Sequence, residues 1–163
     1  MSKPTIKEKE TRYFDSHIEV AEKRDAEGNI ISRTVTGYAA KFNKESQPLG
    51  SYYRFIEKIS PGAFDDRLND DIRALFNHDP SLILARSKNG EGTLKLSIDE
   101  TGLRYEFEAP NTTAGNDLLE NIRLKNVSES SFSFEVEHDR WDVDDMGRDV
   151  RTIKKFRRLY DVA

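Results

Sequence analysis

Four serines crowd into residues 126–136, Asn-Val-Ser-Glu-Ser-Ser-Phe-Ser-Phe-Glu-Val, at positions 128, 130, 131 and 133. A serine hydroxyl becomes a nucleophile when a base takes its proton and a third group orients that base, and the three can come from anywhere in the chain. The imidazoles on offer are His17, His78 and His138. His78 stands in Asn-His-Asp-Pro (77–80), where proline restricts the residue before it and Asn and Asp favour a turn, so it is expected at a strand end. Type and spacing alone permit a Ser/His site and no more. A turn histidine beside a polar strand face accounts for the same residues.

Other chemistries find less support. The three histidines are far apart and none belongs to an HExxH pair or a Cys/His cluster, so no metal site is expected. No GxxxxGK[ST] or GxGxxG loop is present to cradle phosphates, and no cofactor is expected. The adjacent acids Asp65-Asp66, Asp70-Asp71 and Asp144-Asp145 read as solvated loop carboxylates. Without cysteine there is no thiol nucleophile and no disulfide, which fits a cytoplasmic setting. No apolar run approaches the ~20 residues of a membrane span, and no signal peptide is legible, so no membrane association is expected. A net charge of −4 gives no general attraction to nucleic acid. The one basic run, Lys154-Lys155-Phe156-Arg157-Arg158, reads as a solvated strand edge.

The elements that must position any such site are mostly strands. At 163 residues, with nine Phe and six Tyr, the chain fits one domain with a folded core. Residues 1–12 are charged and aperiodic and read as a flexible arm ahead of a single domain over 13–163. Strand-like stretches over 13–21 and 30–42 flank Arg-Asp-Ala-Glu-Gly-Asn, a hairpin turn. Ser60 and Pro61 are placed to cap and open a short helix ending near Asn69. Leu94/Leu96/Ile98 and Leu103/Tyr105/Phe107 alternate as an antiparallel hairpin. Leu118, Leu119 and Ile122 make one apolar stripe at helical period within 113–125. Phe132, Phe134 and Val136 then share one face of a strand, leaving Ser131, Ser133 and Glu135 on the other. A last strand spans 150–162. Such an order, without regular strand–helix alternation, predicts a mainly antiparallel β fold, a barrel or sandwich, with one or two short helices, α+β overall.

Five stretches in order resemble the prohead proteases of HK97-like tailed phages, serine peptidases grouped with the herpesvirus assemblins. They are GYAAKFN (37–43), FIEKISPGAF (55–64), ALFNHDPSLILAR (74–86), GTLKLSIDETGLRYEFEAP (92–110) and SSFSFEV (130–136). The resemblance implies a herpesvirus-protease-like β-barrel, with His78 of Asn-His-Asp as general base and Ser131, which opens Ser-Phe-Ser-Phe, as nucleophile. Asp161 matches the family's acidic position and is the expected third member. His138 competes with it, because the herpesvirus enzymes resemble Ser-His-His peptidases. Asp79, adjacent to His78, is expected to serve the turn, and Arg86 to help backbone N–H groups hold the oxyanion.

Three departures are visible: Ser133 and Ala85 stand where the family carries glycine, and the sequence ends at Tyr-Asp-Val-Ala, short of the family's closing segment. The last predicts a chain shortened at its C-terminus, by self-cleavage or by trimming. The implied substrates are the scaffold, or the scaffold-like N-terminal arm of the major capsid protein, and the protease itself. The setting is the prohead in the bacterial host cytoplasm, and self-association as a dimer is expected. The competing expectation is a non-catalytic β-barrel module that binds capsid or scaffold proteins without cutting them.

Overall fold

The computed structural model describes residues 8–163. In chain order its strands begin with β1 (Glu10–Asp15), β2 (Glu19–Arg24), β3 (Ile30–Lys41), β4 (Ile56–Ile59), β5 (Ile72–Leu75) and β6 (Ile83–Lys88). There follow β7 (Glu91–Gly92), β8 (Leu94–Ile98), β9 (Gly102–Glu108), helix α1 (Thr113–Arg123), β10 (Glu129–Val143) and β11 (Asp149–Val162). Four strands, in the order β2-β3-β9-β8, make a wholly antiparallel sheet. The other seven run β1-β10-β11-β5-β6-β7, with β4 also beside β11; β4 and β5 lie parallel to β11 and the remaining pairs are antiparallel. The fold is mainly β with one short helix, as expected.

Three expectations need correction. First, no closed barrel forms among the described residues. The stretch 13–21, expected as one strand, is broken at residues 16–18, so that β1 joins the large sheet and β2 the small one. The sheets therefore keep edge strands instead of closing on each other. Ser16, buried at this crossing, accepts a hydrogen bond on Oγ from the Tyr38 N–H of β3 (3.0 Å).

Second, the segment from Ser60 to Asn69 is a series of turns and not a helix. Its bonds run from Ala63 N to Ser60 O, Asp65 N to Gly62 O and Arg67 N to Phe64 O, each closing three residues. Gly62 and Asp66 sit at positive φ (88° and 65°), which a right-handed helix cannot accommodate. The turns put Ala63 and Phe64 into the core, where the Ala63 carbonyl accepts from the Phe156 N–H (2.9 Å). Third, the first strand begins at Glu10, ahead of the expected residue 13; residues 1–7 of the expected arm lie outside the described residues.

The core beneath β10 is aromatic. Phe132 and Phe134, fully buried, stack with centroids 4.6 Å apart, and Phe64 and Phe156 close around them at 4.5–5.6 Å. Rings of this size bury ~150–250 Å² each and prefer such offset and edge contacts, so the strand is fixed in register by its phenylalanines. Helix α1 starts where Thr112, in extended conformation, accepts the Gly115 N–H (3.1 Å), and it buries Leu118.

A second interior group is ionic. Arg151 of β11 is fully buried; its Nη1 donates to Glu10 (2.9 Å) and Glu57 (3.1 Å), and its Nε to Asp139 (2.8 Å). Arg12 of β1 donates to both oxygens of Glu57 (2.7 and 3.0 Å) and to Glu10 (2.7 Å). Burial works against the charge of both guanidiniums. The charges and hydrogen bonds of Glu57 and Glu10 outweigh it and hold both above the ordinary arginine value. Because Glu57 serves the buried Arg151 and the half-buried Arg12, Glu57→Ala is expected to destabilise the fold by ~3–5 kcal/mol, read from the urea midpoint. A loss under ~1 kcal/mol would mean that water reaches the cluster.

Candidate active site

Ser131, His78 and Asp161 come from three segments that the large sheet brings side by side. In the β10–β11 ladder Ser133 stands opposite Asp161, and at the end of β11 Asp161 stands opposite Arg73 of β5. Strand β5 stops at Leu75, and the turn that follows carries His78 back over the ladder. Asn77 and His78 both adopt left-handed backbone (φ 53° and 56°), a conformation for which Asn and His are enriched among non-glycine residues. Two bonds hold the turn, Asp79 N to Phe76 O (3.1 Å) and Leu82 N to Asp79 O (3.0 Å).

The imidazole lies between the other two side chains. His78 Nδ1 is 2.5 Å from Asp161 Oδ1, and Nε2 is hydrogen-bonded to Ser131 Oγ. A carboxylate can only accept, so Nδ1 carries the proton that it donates to Asp161, which leaves Nε2 to accept from the Ser131 hydroxyl. The group is shielded from water: Ser131 is 3% exposed, and the side chains of His78 and Asp161 are 18% and 6% exposed. Asp79 turns to its own loop, accepting on Oδ1 from the Ser81 hydroxyl (2.6 Å) and N–H (2.9 Å), bonds that hold its carboxyl below the ordinary value.

His138 is not near this group. It lies seven residues beyond Ser131 on β10, on the order of 23 Å along an extended strand, exposed and opposite Lys155. Arg86, expected near the oxyanion, has its guanidinium fork on Asp71 (2.8 and 2.7 Å).

Strand β1 supplies what the sequence left unread. Its alternate residues split between two environments. Glu10 and Arg12 enter the ionic cluster and Phe14 packs on Phe132, while Thr11 and Tyr13, with Lys9 just ahead of the strand, meet the His78 group. Ser131 exchanges both backbone bonds with Ala163 (2.9 Å each), which makes Tyr13 and Ser131 a non-hydrogen-bonded pair with side chains close together. The Tyr13 ring stands edge-on to His78 at 6.0 Å, and Lys9 Nζ is 3.7 Å from Asp161 Oδ2. The Thr11 and Ser133 hydroxyls share a 3.0 Å hydrogen bond, and Ser133 Oγ is 3.3 Å from His78 Nδ1. Charged and aperiodic, residues 8–12 carried no strand signal; only the later pairing reveals their role.

A serine, a histidine and a carboxylate in this order are the parts of an acyl-transfer site. The family model described as Caudovirus prohead serine protease matches residues 17–163 of the chain. The chain belongs to this family. No curated protein and no solved structure matches it. As a prohead serine protease the chain is a serine peptidase of phage capsid maturation, which favours the enzyme over the non-catalytic module. The match starts at residue 17, so the whole of β1 lies ahead of the matched span.

Ser133 is the second hydroxyl beside this prohead protease's histidine, but it meets Nδ1, already committed to Asp161. One neutral hydrogen bond is worth ~1 kcal/mol, so Ser133→Ala is expected to lower kcat/KM by less than ~10-fold. A loss as deep as that of Ser131→Ala, measured in the same cleavage assay, would give Ser133 a direct part in the reaction.

Proposed function

We propose that Ser131 is the nucleophile, His78 the general base and Asp161 the orienting acid of an endopeptidase acting on the phage capsid precursor. The supporting observation is the unbroken hydrogen-bond relay from Ser131 through His78 to Asp161. As Ser131 Oγ bonds to the scissile carbonyl carbon, its proton passes to His78 Nε2 and the carbonyl electrons move onto oxygen. Asp161, accepting from Nδ1–H, fixes the tautomer that leaves Nε2 free to take that proton and stabilises the imidazolium that results. His78 then gives the proton to the leaving amine as the C–N bond breaks, and water attacks the acyl-Ser131 ester by the same route. Backbone N–H groups hold the oxyanion. The Ser131 N–H is engaged by Ala163 and is not among them.

The substrates are the scaffold, or the scaffold-like N-terminal arm of the major capsid protein, and the protease itself, within the prohead. Incubation with the capsid precursor, followed by gel and mass analysis, tests the assignment. Ser131→Ala and His78→Ala are expected to abolish cleavage, and Asp161→Asn to lower kcat by ~10³–10⁴-fold, since it permits the wrong tautomer. Undiminished cleavage by Ser131→Ala would sink the site. For self-cleavage, the parent is expected to be lighter than its Ser131→Ala variant by a defined segment; a parent heavier than the variant by only the one oxygen of the substitution would exclude it.

A further inference from the structure

A cavity of about 400 Å³ opens beside the reacting group, and Ser131 and Tyr13 form part of its wall. Its interior is made by Val35 of β3, Leu84 of β6, Phe107 of β9 and the α1 pair Leu118 and Ile122, which lie one turn apart on one helix face. The hydroxyls of Tyr105 and Ser130, the first also in its wall, hydrogen-bond each other at 2.7 Å. Tyr105 lies over Gly37 on the neighbouring strand, where a Cβ would run into its ring and hydroxyl. No Lys or Arg lines the cavity; the one charged residue is Glu129, exposed.

We propose that this cavity is the primary specificity pocket of the protease and takes a large apolar side chain, of the leucine, methionine or phenylalanine class, from the residue that supplies the scissile carbonyl. The inference rests on Ser131 being the nucleophile. A carbonyl carbon poised for attack sits ~3–3.5 Å from the serine oxygen, and its Cα is one bond further, so that residue's side chain must enter whatever space adjoins Ser131. The adjoining space is this cavity. The buried part of the lining is mainly apolar and recovers dispersion and hydrophobic contacts with an apolar occupant; Asn77, Asn126, Ser128 and Glu129 lie at its exposed margin, and no buried charged side chain lines it to pair with an ammonium or carboxylate. Glu129 adds repulsion against an acidic side chain approaching the site. The volume falls within the range of sites that enclose a ligand and exceeds what alanine or glycine would fill.

The test uses the full chain and a mixture of proteome-derived peptides, with the new termini sequenced by mass spectrometry. Leu, Met and Phe are expected to precede the cut at least ~10-fold more often than Lys, Arg, Asp or Glu, as one or two methylenes in an apolar pocket already give such ratios. Leu118→Trp and, independently, the less buried Ile122→Trp fill the pocket and are expected to shift the preference toward Ala, Ser and Gly. Reaction of the parent with a fluorophosphonate, read as a mass adduct on Ser131, separates the two readings. An adduct together with cuts that follow charged and apolar residues alike, with a preference unmoved in both tryptophan variants, or with no cuts at all, overturns the pocket and leaves the nucleophile standing. Absence of the adduct overturns the Ser131 assignment and this inference with it.

Discussion

The site depends on one antiparallel ladder, β10 against β11, and on what holds it in register. Ser133 and Asp161 are partners across it, so Ser131 lies one same-face step from the strand that carries the carboxylate. A slip of one residue would turn Ser131 into the core and Phe132 toward His78. That slip is prevented from beneath, where Phe132, Phe134, Phe64 and Phe156 interlock without exposure to water. The two halves of Ser-Phe-Ser-Phe therefore have one explanation: the rings fix the strand, and the strand presents the hydroxyls.

The histidine arrives by a different device. Because β5 lies parallel to β11 and pairs with it only at Asp161 and Val162, its C-terminal turn falls directly over the carboxylate. Two successive left-handed residues then aim the ring inward. The residue types that tolerate this backbone, Asn and His, are those found at 77 and 78, and Asp79 closes the turn through Ser81. Asn-His-Asp is thus a turn sequence in which the middle residue alone is left to reach Ser131 and Asp161.

Much of this is legible in the sequence. Period-2 alternation locates the β8–β9 hairpin and the core face of β10, while Ser131, His78 and Asp161, which lie together, are singled out only by the family resemblance, with His138 left as a competitor to Asp161. What failed did so for physical reasons. Ser60-Pro61 is a sound helix start, but Gly62 and Asp66 take positive φ to bury Ala63 and Phe64, and local capping loses to packing. The residues 13–21 look like one strand, yet Ser16 is buried at a crossing between sheets, a long-range demand that local pattern does not carry. Glu57 and Arg151 look like surface charges because charged residues are seldom buried unless paired, and their partners Glu10, Arg12 and Asp139 are remote in sequence. Parallel pairing of β4 and β5 with β11 is likewise a tertiary choice.

The ionic cluster and the reacting group are two sides of the same strand. Glu10 and Arg12 tie the other face of β1 to Arg151 and Glu57, while its ladder with β10 sets Thr11 against Ser133 and Tyr13 beside Ser131 and His78. With β1 on one side of β10 and residue 163 on the other, both backbone edges of the strand at Ser131 are already paired. A peptide cannot reach Ser131 by adding a strand to β10. On the proposed assignment a substrate carbonyl comes over the face of the sheet, where the cavity borders Ser131 and Tyr13. On that assignment, the closed pairing favours recognition by side chain over a main-chain ladder at Ser131.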